Sequence, residues 1–243
     1  MKSNYDRKID YTNSQPIKQK LSVSSYGLDL ASLSNCSLAT LDDLSSQECL
    51  RTCIQEKASQ GEYEIAISIL DRLIAHNPNN ANDYNNRGLM YFRNNQIVEA
   101  LCDLSQALEI NPYLDSAYNN RANCYAAQGD LSSAIADYDL ALDINPANLR
   151  AWINQGITFR ELELYNLAIE NLDIALIIGN TLQERIYAER GRAYHLRGDW
   201  NCAAGDYQKA LDILVIRPTQ VKYKSKVMRW LDELLYPLRV NDN

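Results

Sequence analysis

The sequence is poor in the residues that break regular structure. It has only 9 Gly and 6 Pro among 243 residues, too few for the frequent turns of a β-sandwich or for glycine-rich phosphate loops. It also has only 2 His, which leaves little material for a metal site or for acid–base catalysis. These shortages argue against an all-β fold and favour long helices.

The sequence also lacks a long apolar run and an excess of basic residues. No stretch approaches the ~20 apolar residues that a membrane-spanning helix needs, and the net charge is -7, which disfavours binding to nucleic acid. The 6 Cys show no spacing typical of a disulfide scaffold or a zinc site. We therefore expect a reduced, soluble, cytoplasmic protein that is not an enzyme, with no catalytic residue, cofactor or metal ion.

A sequence pattern recurs with a period of 34 residues. Asn-Pro pairs begin at Asn77, Asn111 and Asn145, and the segments 84–88 and 118–122 read YNNRG and YNNRA. A fixed period of this length is typical of a stacked repeat architecture. The period defines five units, at about 47–80, 81–114, 115–148, 149–182 and 184–217.

Each unit has the pattern of a helical hairpin. Counted from the start of a unit, apolar or small residues occupy positions 4, 8 and 11 and again 20, 24 and 27, which is helical spacing on two segments. Such hairpins bury their faces only by stacking. We predict a repeat array over 41–217 and a capping helix over 219–238 that Pro237 terminates, whereas 1–40 lacks any period and is expected to be mostly disordered.

The repeat resembles the tetratricopeptide repeat (TPR) family, in particular bacterial and cyanobacterial members. The family pattern has an aromatic residue at positions 4 and 11, a small residue at 8, Ala at 20 and 27 and Pro at 32. The resemblance covers the five units. It implies an all-α fold, a right-handed α-solenoid of about five TPR hairpins, in which the first helices line a concave groove that commonly binds peptides.

Positions 7 and 23 vary together from unit to unit. Where position 7 is Arg, position 23 is Asp, and where it is Gln, position 23 is Asn. The four pairs are Arg87 and Asp103, Arg121 and Asp137, Gln155 and Asn171, and Arg190 and Asp206. We infer that these arginines bind the two helices of a hairpin to each other rather than a ligand.

Asparagine and arginine dominate the positions that the resemblance assigns to the groove. Position 6 is Asn in three successive units, and a carboxamide can both donate to and accept from a peptide group, as in the asparagine ladder of the O-linked GlcNAc transferase repeats, which this arrangement resembles. Arginines in the later units predict an anion site. The predicted peptide-binding residues are Asn82, Asn85, Asn86, Asn119, Asn120, Asn123, Asn154, Arg150, Arg160, Arg185, Arg192 and His195.

The leading functional hypothesis is a non-catalytic scaffold or adaptor that binds an extended or acidic segment of another protein in this groove. Two alternatives remain open, an assembly factor for a photosynthetic or other membrane complex, and a regulatory or accessory subunit of an enzyme. A basic stretch in the last helix leaves a peripheral membrane contact possible. The sequence predicts neither the partner nor the oligomeric state.

Overall fold

The computed structural model describes residues 44–216 and 220–240, and within these ranges it contains eleven helices and no strand. The helices are α1 (Leu44–Gln60), α2 (Tyr63–His76), α3 (Ala81–Arg93), α4 (Ile97–Ile110), α5 (Asp115–Gln128), α6 (Leu131–Ile144), α7 (Leu149–Glu161), α8 (Tyr165–Ile178), α9 (Gln183–Arg197), α10 (Trp200–Val215) and α11 (Val221–Val240). The predicted all-α solenoid of helical hairpins is confirmed. The segment expected to be disordered, 1–40, lies outside the described residues.

Consecutive helices pair into hairpins, from α1 with α2 to α9 with α10. The second helix of each hairpin also packs on the first helix of the next one. In addition α3, α5, α7, α9 and α11 contact one another in that order. We call these five helices the first-helix row, because they place corresponding residues of successive units side by side.

The close approach of the two helices in a hairpin depends on small residues. Ala100, Ala134, Ala168 and Ala203, all at position 20, are completely buried. At position 8, a Cβ added to Gly88 would lie 2.8 Å from Cγ of Leu104 on the facing helix. The small side chains thus allow interhelical contact that larger ones would prevent.

The turn inside each hairpin has the same backbone conformation in every unit. Position 15 has a positive φ, of 81° at Gly61, 61° at Asn95, 83° at Gly129, 62° at Glu163 and 97° at Gly198. Glycine adopts this conformation without steric cost, and asparagine tolerates it well. Glu163 is the exception, because its Cβ makes the same conformation unfavourable.

Helix α11 closes the core of the last hairpin. Its Val227, Trp230 and Leu234 are buried in one cluster with Tyr207 and Leu214 of α10. The helix continues beyond Pro237 to Val240, so the expectation that this proline terminates it was wrong. A proline removes one backbone hydrogen bond, a small loss in the final turn.

Candidate functional site

Two grooves lie along the first-helix row. The larger, which we call the amide groove, encloses about 730 Å³ beside the N-terminal halves of α3 and α5 and the start of α7. Six of the predicted binding residues line it: Asn82, Asn85, Asn86, Asn119, Asn120 and Arg150. The charged groove, about 500 Å³ between α7, α9 and α11, is lined by two more, Arg160 and Arg185. The other four, Asn123, Asn154, Arg192 and His195, line neither groove.

Side-chain amides form a continuous hydrogen-bond chain across the first-helix row. Asn154 Nδ2 donates to Asn119 Oδ1 at 3.1 Å, and Asn119 Nδ2 donates to Asn120 Oδ1 at 3.3 Å. Asn120 Nδ2 then donates to Asn85 Oδ1 at 2.9 Å. We call these four residues the amide chain. It links α7 to α5 and α5 to α3, so it joins three successive units.

Arg185 sets the direction of the amide chain. Its Nη2 donates to Asn154 Oδ1 at 2.9 Å, and a guanidinium group can only donate. The oxygen of Asn154 must therefore face Arg185, its NH₂ group must face Asn119, and each later amide follows the same orientation. Aligned donors of this kind polarise one another and strengthen the chain.

The amide chain alters the role of the predicted asparagines. Asn120 and Asn154 were expected to face a peptide, but each also binds an amide on a neighbouring first helix. Asn123 accepts a hydrogen bond from the hydroxyl of buried Tyr138 at 2.7 Å. The sequence shows asparagines at positions 5 and 6 of the units. It does not show that the side chain at position 6 reaches the one at position 5 of the preceding unit. By contrast, the side chain of Asn86 forms no hydrogen bond within the described part of the chain.

Several of the predicted anion-binding residues are engaged by acidic or aromatic groups. Arg160 Nη1 pairs with Glu189 at 2.5 Å, and these side chains are only 13% and 4% exposed. Arg192 pairs with Glu233 of α11 at 2.8 Å and lies over the ring of Trp230. Their charges are therefore largely balanced within the chain.

The charged groove brings buried ionisable groups close together. Around Glu189 lie Arg160, the ammonium of Lys226 at 3.5 Å and the hydroxyl of Tyr223 at 3.4 Å. Burial, together with the negative charge of Glu189, raises the pKa of Tyr223 well above its usual range. Burial and the nearby Arg192 lower the pKa of His195, whose Nδ1 lies 3.3 Å from the hydroxyl of Tyr207.

The inferred pairs between positions 7 and 23 are confirmed. Arg121 donates from Nε and Nη2 to the two carboxylate oxygens of Asp137, at 2.7 and 2.8 Å. Arg87 with Asp103 and Arg190 with Asp206 have the same two-point geometry. In the neutral pair, Asn171 donates to Gln155 at 2.7 Å. These arginines are structural.

Sequence reasoning missed a second partner of position 7. Arg87 also pairs with Asp71 at 2.7 Å, and Arg190 pairs with Asp173. Gln155 donates to Asp139 at 2.6 Å. Asp71, Asp139 and Asp173 all occupy position 25 of the preceding unit, so the repeat period itself carried the signal.

The described residues contain neither a candidate metal site nor a membrane-spanning helix. They contain no group of three or more His, Cys, Asp or Glu side chains arranged to hold a metal ion. Within 44–216 and 220–240, none of the helices has the length and apolar character needed to cross a bilayer. The geometry therefore directs attention to the grooves of the first-helix row.

Comparison with known families supports the same assignment as the geometry. Two family models, both described as tetratricopeptide repeat, match residues 69–101 and 116–148. The chain contains tetratricopeptide repeats. TPR units are in general non-catalytic modules for protein–protein interaction, and the chain is an interaction scaffold in this general sense. No curated protein matches the chain.

Solved structures show the same TPR architecture. A thermophilic TPR protein of Thermus thermophilus superposes with a TM-score of 0.65 at 20% identity, over 75% of this chain and 97% of that one. A TPR protein of Parabacteroides merdae gives 0.60 at 20% identity, over 80% and 74%. MamA 41-end from Desulfovibrio magneticus RS-1 gives 0.57 at 16% identity, over 70% and 96%. At these identities the similarity concerns the fold alone.

Proposed function

We propose that the amide groove binds an extended segment of another protein, so that the chain serves as an adaptor. The observation that carries this proposal is the set of asparagines along the groove wall, namely Asn82, Asn85, Asn86, Asn119 and Asn120. Extended polypeptide presents a donor and an acceptor at each peptide group. A carboxamide offers the complementary pair. Asn82, Asn86 and Asn120 have accessible carboxamides, whereas Asn85 and Asn119 are buried and hold the neighbouring amides in place.

The hydrogen bonds of the amide chain do not use all the donors and acceptors of its carboxamides. A carboxamide has two N–H groups and an oxygen with two lone pairs. Asn120 uses one N–H toward Asn85 and one lone pair toward Asn119. One donor and one acceptor remain, which is the number that a peptide group requires. Because the amide chain fixes Asn85, Asn119 and Asn120 in advance, binding need not order these three side chains.

Main-chain hydrogen bonds alone are too weak for a stable complex. Each contributes about 1 kcal/mol net, whereas a micromolar complex needs about 8 kcal/mol. Three leucines of the groove, Leu89, Leu149 and Leu182, provide apolar contact. Arg150 is exposed and forms no ion pair with a described residue. We infer that a preferred segment has apolar side chains and an acidic residue placed near Arg150.

The experiment uses residues whose loss leaves the fold intact. Peptides are first selected against the full chain from a random-sequence display library, and their affinities are measured by fluorescence anisotropy. Asn86→Ala combined with Arg150→Gln changes two groove side chains that hold no hydrogen bond or ion pair within the described chain. We expect the affinity to fall at least tenfold at an unchanged melting temperature.

Asn201→Ala is the matched control. Asn201 is exposed on α10, outside the first-helix row, and its substitution should leave the affinity unchanged. Peptides that bind the double variant as tightly as the original chain would place the binding site elsewhere and refute the proposal.

A further inference from the structure

Helix α8 has an outward face unlike those of the other second helices. At position 16 the second, third and fifth units have Gln96, Asp130 and Asp199, and at position 29 they have Glu109, Asp143 and Asp212. The fourth unit has Leu164 and Ile177 instead. Repeats of one chain share the same structural demands, so this difference is not required by the stacking of hairpins.

These apolar side chains are accessible. Ile177 is 85% exposed, Leu164 46% and Leu167 41%, and Ile174 between them is partly exposed. We call these four residues the α8 ridge. Leu164 and Leu167 line a surface cleft of about 460 Å³. Exposed apolar side chains grouped on one helix face are typical of an interaction site.

The turn before α8 is strained at the same place. Glu163 has φ 62° where three other units have Gly and one has Asn. Side chains held in such a conformation cluster at functional sites. The strain and the α8 ridge thus occur together in one unit, and each departs from the pattern of the second, third and fifth units.

We propose that the α8 ridge of one molecule binds helix α11 of a second copy of the chain. The outward face of α11 carries Val221, Met228 and Tyr236, which are 65%, 49% and 68% exposed, and the exposed Asp232 lies between Met228 and Tyr236. Val221 to Tyr236 spans about 22 Å of helix, and Leu164 to Ile177 about 20 Å. The two apolar surfaces therefore match in length.

Charge complementarity selects α11 as the occupant. Glu163 precedes the α8 ridge and Glu170 lies within it, between Leu167 and Ile174; both are exposed and form no ion pair with a described residue. Lys222 and Lys224 flank the apolar face of α11 and are likewise unpaired among the described residues. Arg229, 70% exposed, has only a 3.8 Å contact with Glu233. Apposition of the two helices would bring Glu163 and Glu170 close to these basic groups.

Pairing of α8 with itself is less favourable. A symmetric contact between two α8 ridges would bring Glu170 close to its own copy, and two adjacent carboxylates repel each other. The contact of α8 with α11 joins two different surfaces, and each molecule has one of each. Such a contact does not end at a dimer, so assembly continues into a ring or a filament.

The test uses two variants that each destroy one surface. Ile177→Asp removes the α8 ridge, and Met228→Asp removes the α11 face; both side chains are exposed, so the fold should persist. By analytical ultracentrifugation of the full chain at ~100 μM, we expect oligomers for the original chain and monomers for each variant alone. An equimolar mixture should form a species of twice the monomer mass and nothing larger, because only one complementary pair of surfaces remains.

Val98→Asp serves as the control, since Val98 is 68% exposed on α4 outside both surfaces, and it should leave assembly unchanged. A monomeric original chain would overturn the proposal. So would assembly that Met228→Asp leaves intact, because the α8 ridge would then bind something other than α11. Peptide binding by the amide groove is measured separately, so either proposal can fail without the other.

Discussion

At the scale of single residues, the paired side chains at positions 7 and 23 are the clearest link between sequence and structure. Arg121 is 20% exposed and Asp137 7%, and the guanidinium also lies over the ring of Tyr118 at 5.5 Å. Loss of one partner from such a pair leaves the other charge buried without compensation. In the fourth unit positions 7 and 23 hold the neutral pair Gln155 and Asn171, so the chain itself contains an uncharged version of this pair.

This comparison gives a prediction for Arg121. Arg121→Ala should lower the free energy of unfolding by about 3 kcal/mol, because Asp137 stays buried without its partner. Arg121→Gln together with Asp137→Asn copies the pair of the fourth unit and should lose far less. Urea unfolding followed by circular dichroism measures both. Equal losses in the two variants would mean that the charges do not matter to this pair.

Glu163 provides a second prediction at this scale. Glu163→Gly should raise the free energy of unfolding by about 1 kcal/mol, since glycine adopts the left-handed conformation at φ 62° without strain. Glu170→Gly changes the net charge equally but places glycine inside α8, and it should lower stability by about 1 kcal/mol. Thermal unfolding at low protein concentration measures the stability of both variants. A loss of stability in Glu163→Gly would show that the backbone at Glu163 is not strained.

At the scale of helices, the glycine at position 8 sets the distance between the two helices of a hairpin, because it has no side chain. An added Cβ on Gly88 would meet Leu104 Cγ at 2.8 Å and the backbone oxygen of Ala100 at 3.2 Å. On Gly191 it would meet Tyr207 Cδ1 at 2.9 Å. Backbone atoms of a packed helix cannot move aside cheaply, so the two helices would have to separate.

Gly88→Ala should therefore destabilise the protein by about 1 to 3 kcal/mol. Gly205 on α10 is the natural control, because an added Cβ there meets nothing within 4 Å. Gly205→Ala should stabilise the protein by about 1 kcal/mol through helix propensity alone. Differential scanning calorimetry measures the stability of both variants. A stabilised Gly88→Ala variant would show that the space between the two helices accommodates an added Cβ.

The hairpins could be predicted from the sequence because small and apolar residues at fixed positions constrain packing directly. The amide chain could not, since the sequence shows that Asn119 and Asn154 lie on one side of their helices but not how far each amide reaches toward the next helix. The sequence also left open whether Arg160 binds an anionic ligand or a nearby glutamate, because its pairing with Glu189 depends on how α7 and α9 align.

At the scale of the whole molecule, the amide chain runs through three successive units and adds a hydrogen bond between each unit and its neighbour. Stability in a repeat array is approximately a sum of unit terms and interface terms. Each hydrogen bond between units adds to an interface term. Asn119 holds a central place, because it accepts from Asn154 on α7 and donates to Asn120, which in turn binds Asn85 on α3.

Asn119→Ala should lower the free energy of unfolding by about 2 kcal/mol, because two hydrogen bonds are lost. It should also reduce the slope of the unfolding free energy against urea concentration, because the two halves of the array become less coupled. Asn123→Ala removes the bond from Tyr138 within one unit and should lower stability with an unchanged slope. Identical slopes in both variants would show that the amide chain does not couple the units.

The neutral pair in the fourth unit also bears on how the chain reaches its native state. Near-identical hairpins invite exchange of partners while the chain folds, so that α5 could meet α8 in place of α6. Such an encounter would bury Arg121 opposite Asn171 and leave its charge uncompensated. The neutral pair thereby disfavours this misassembled intermediate. Because the second, third and fifth units all have charged pairs, only exchanges that involve the fourth unit are disfavoured in this way.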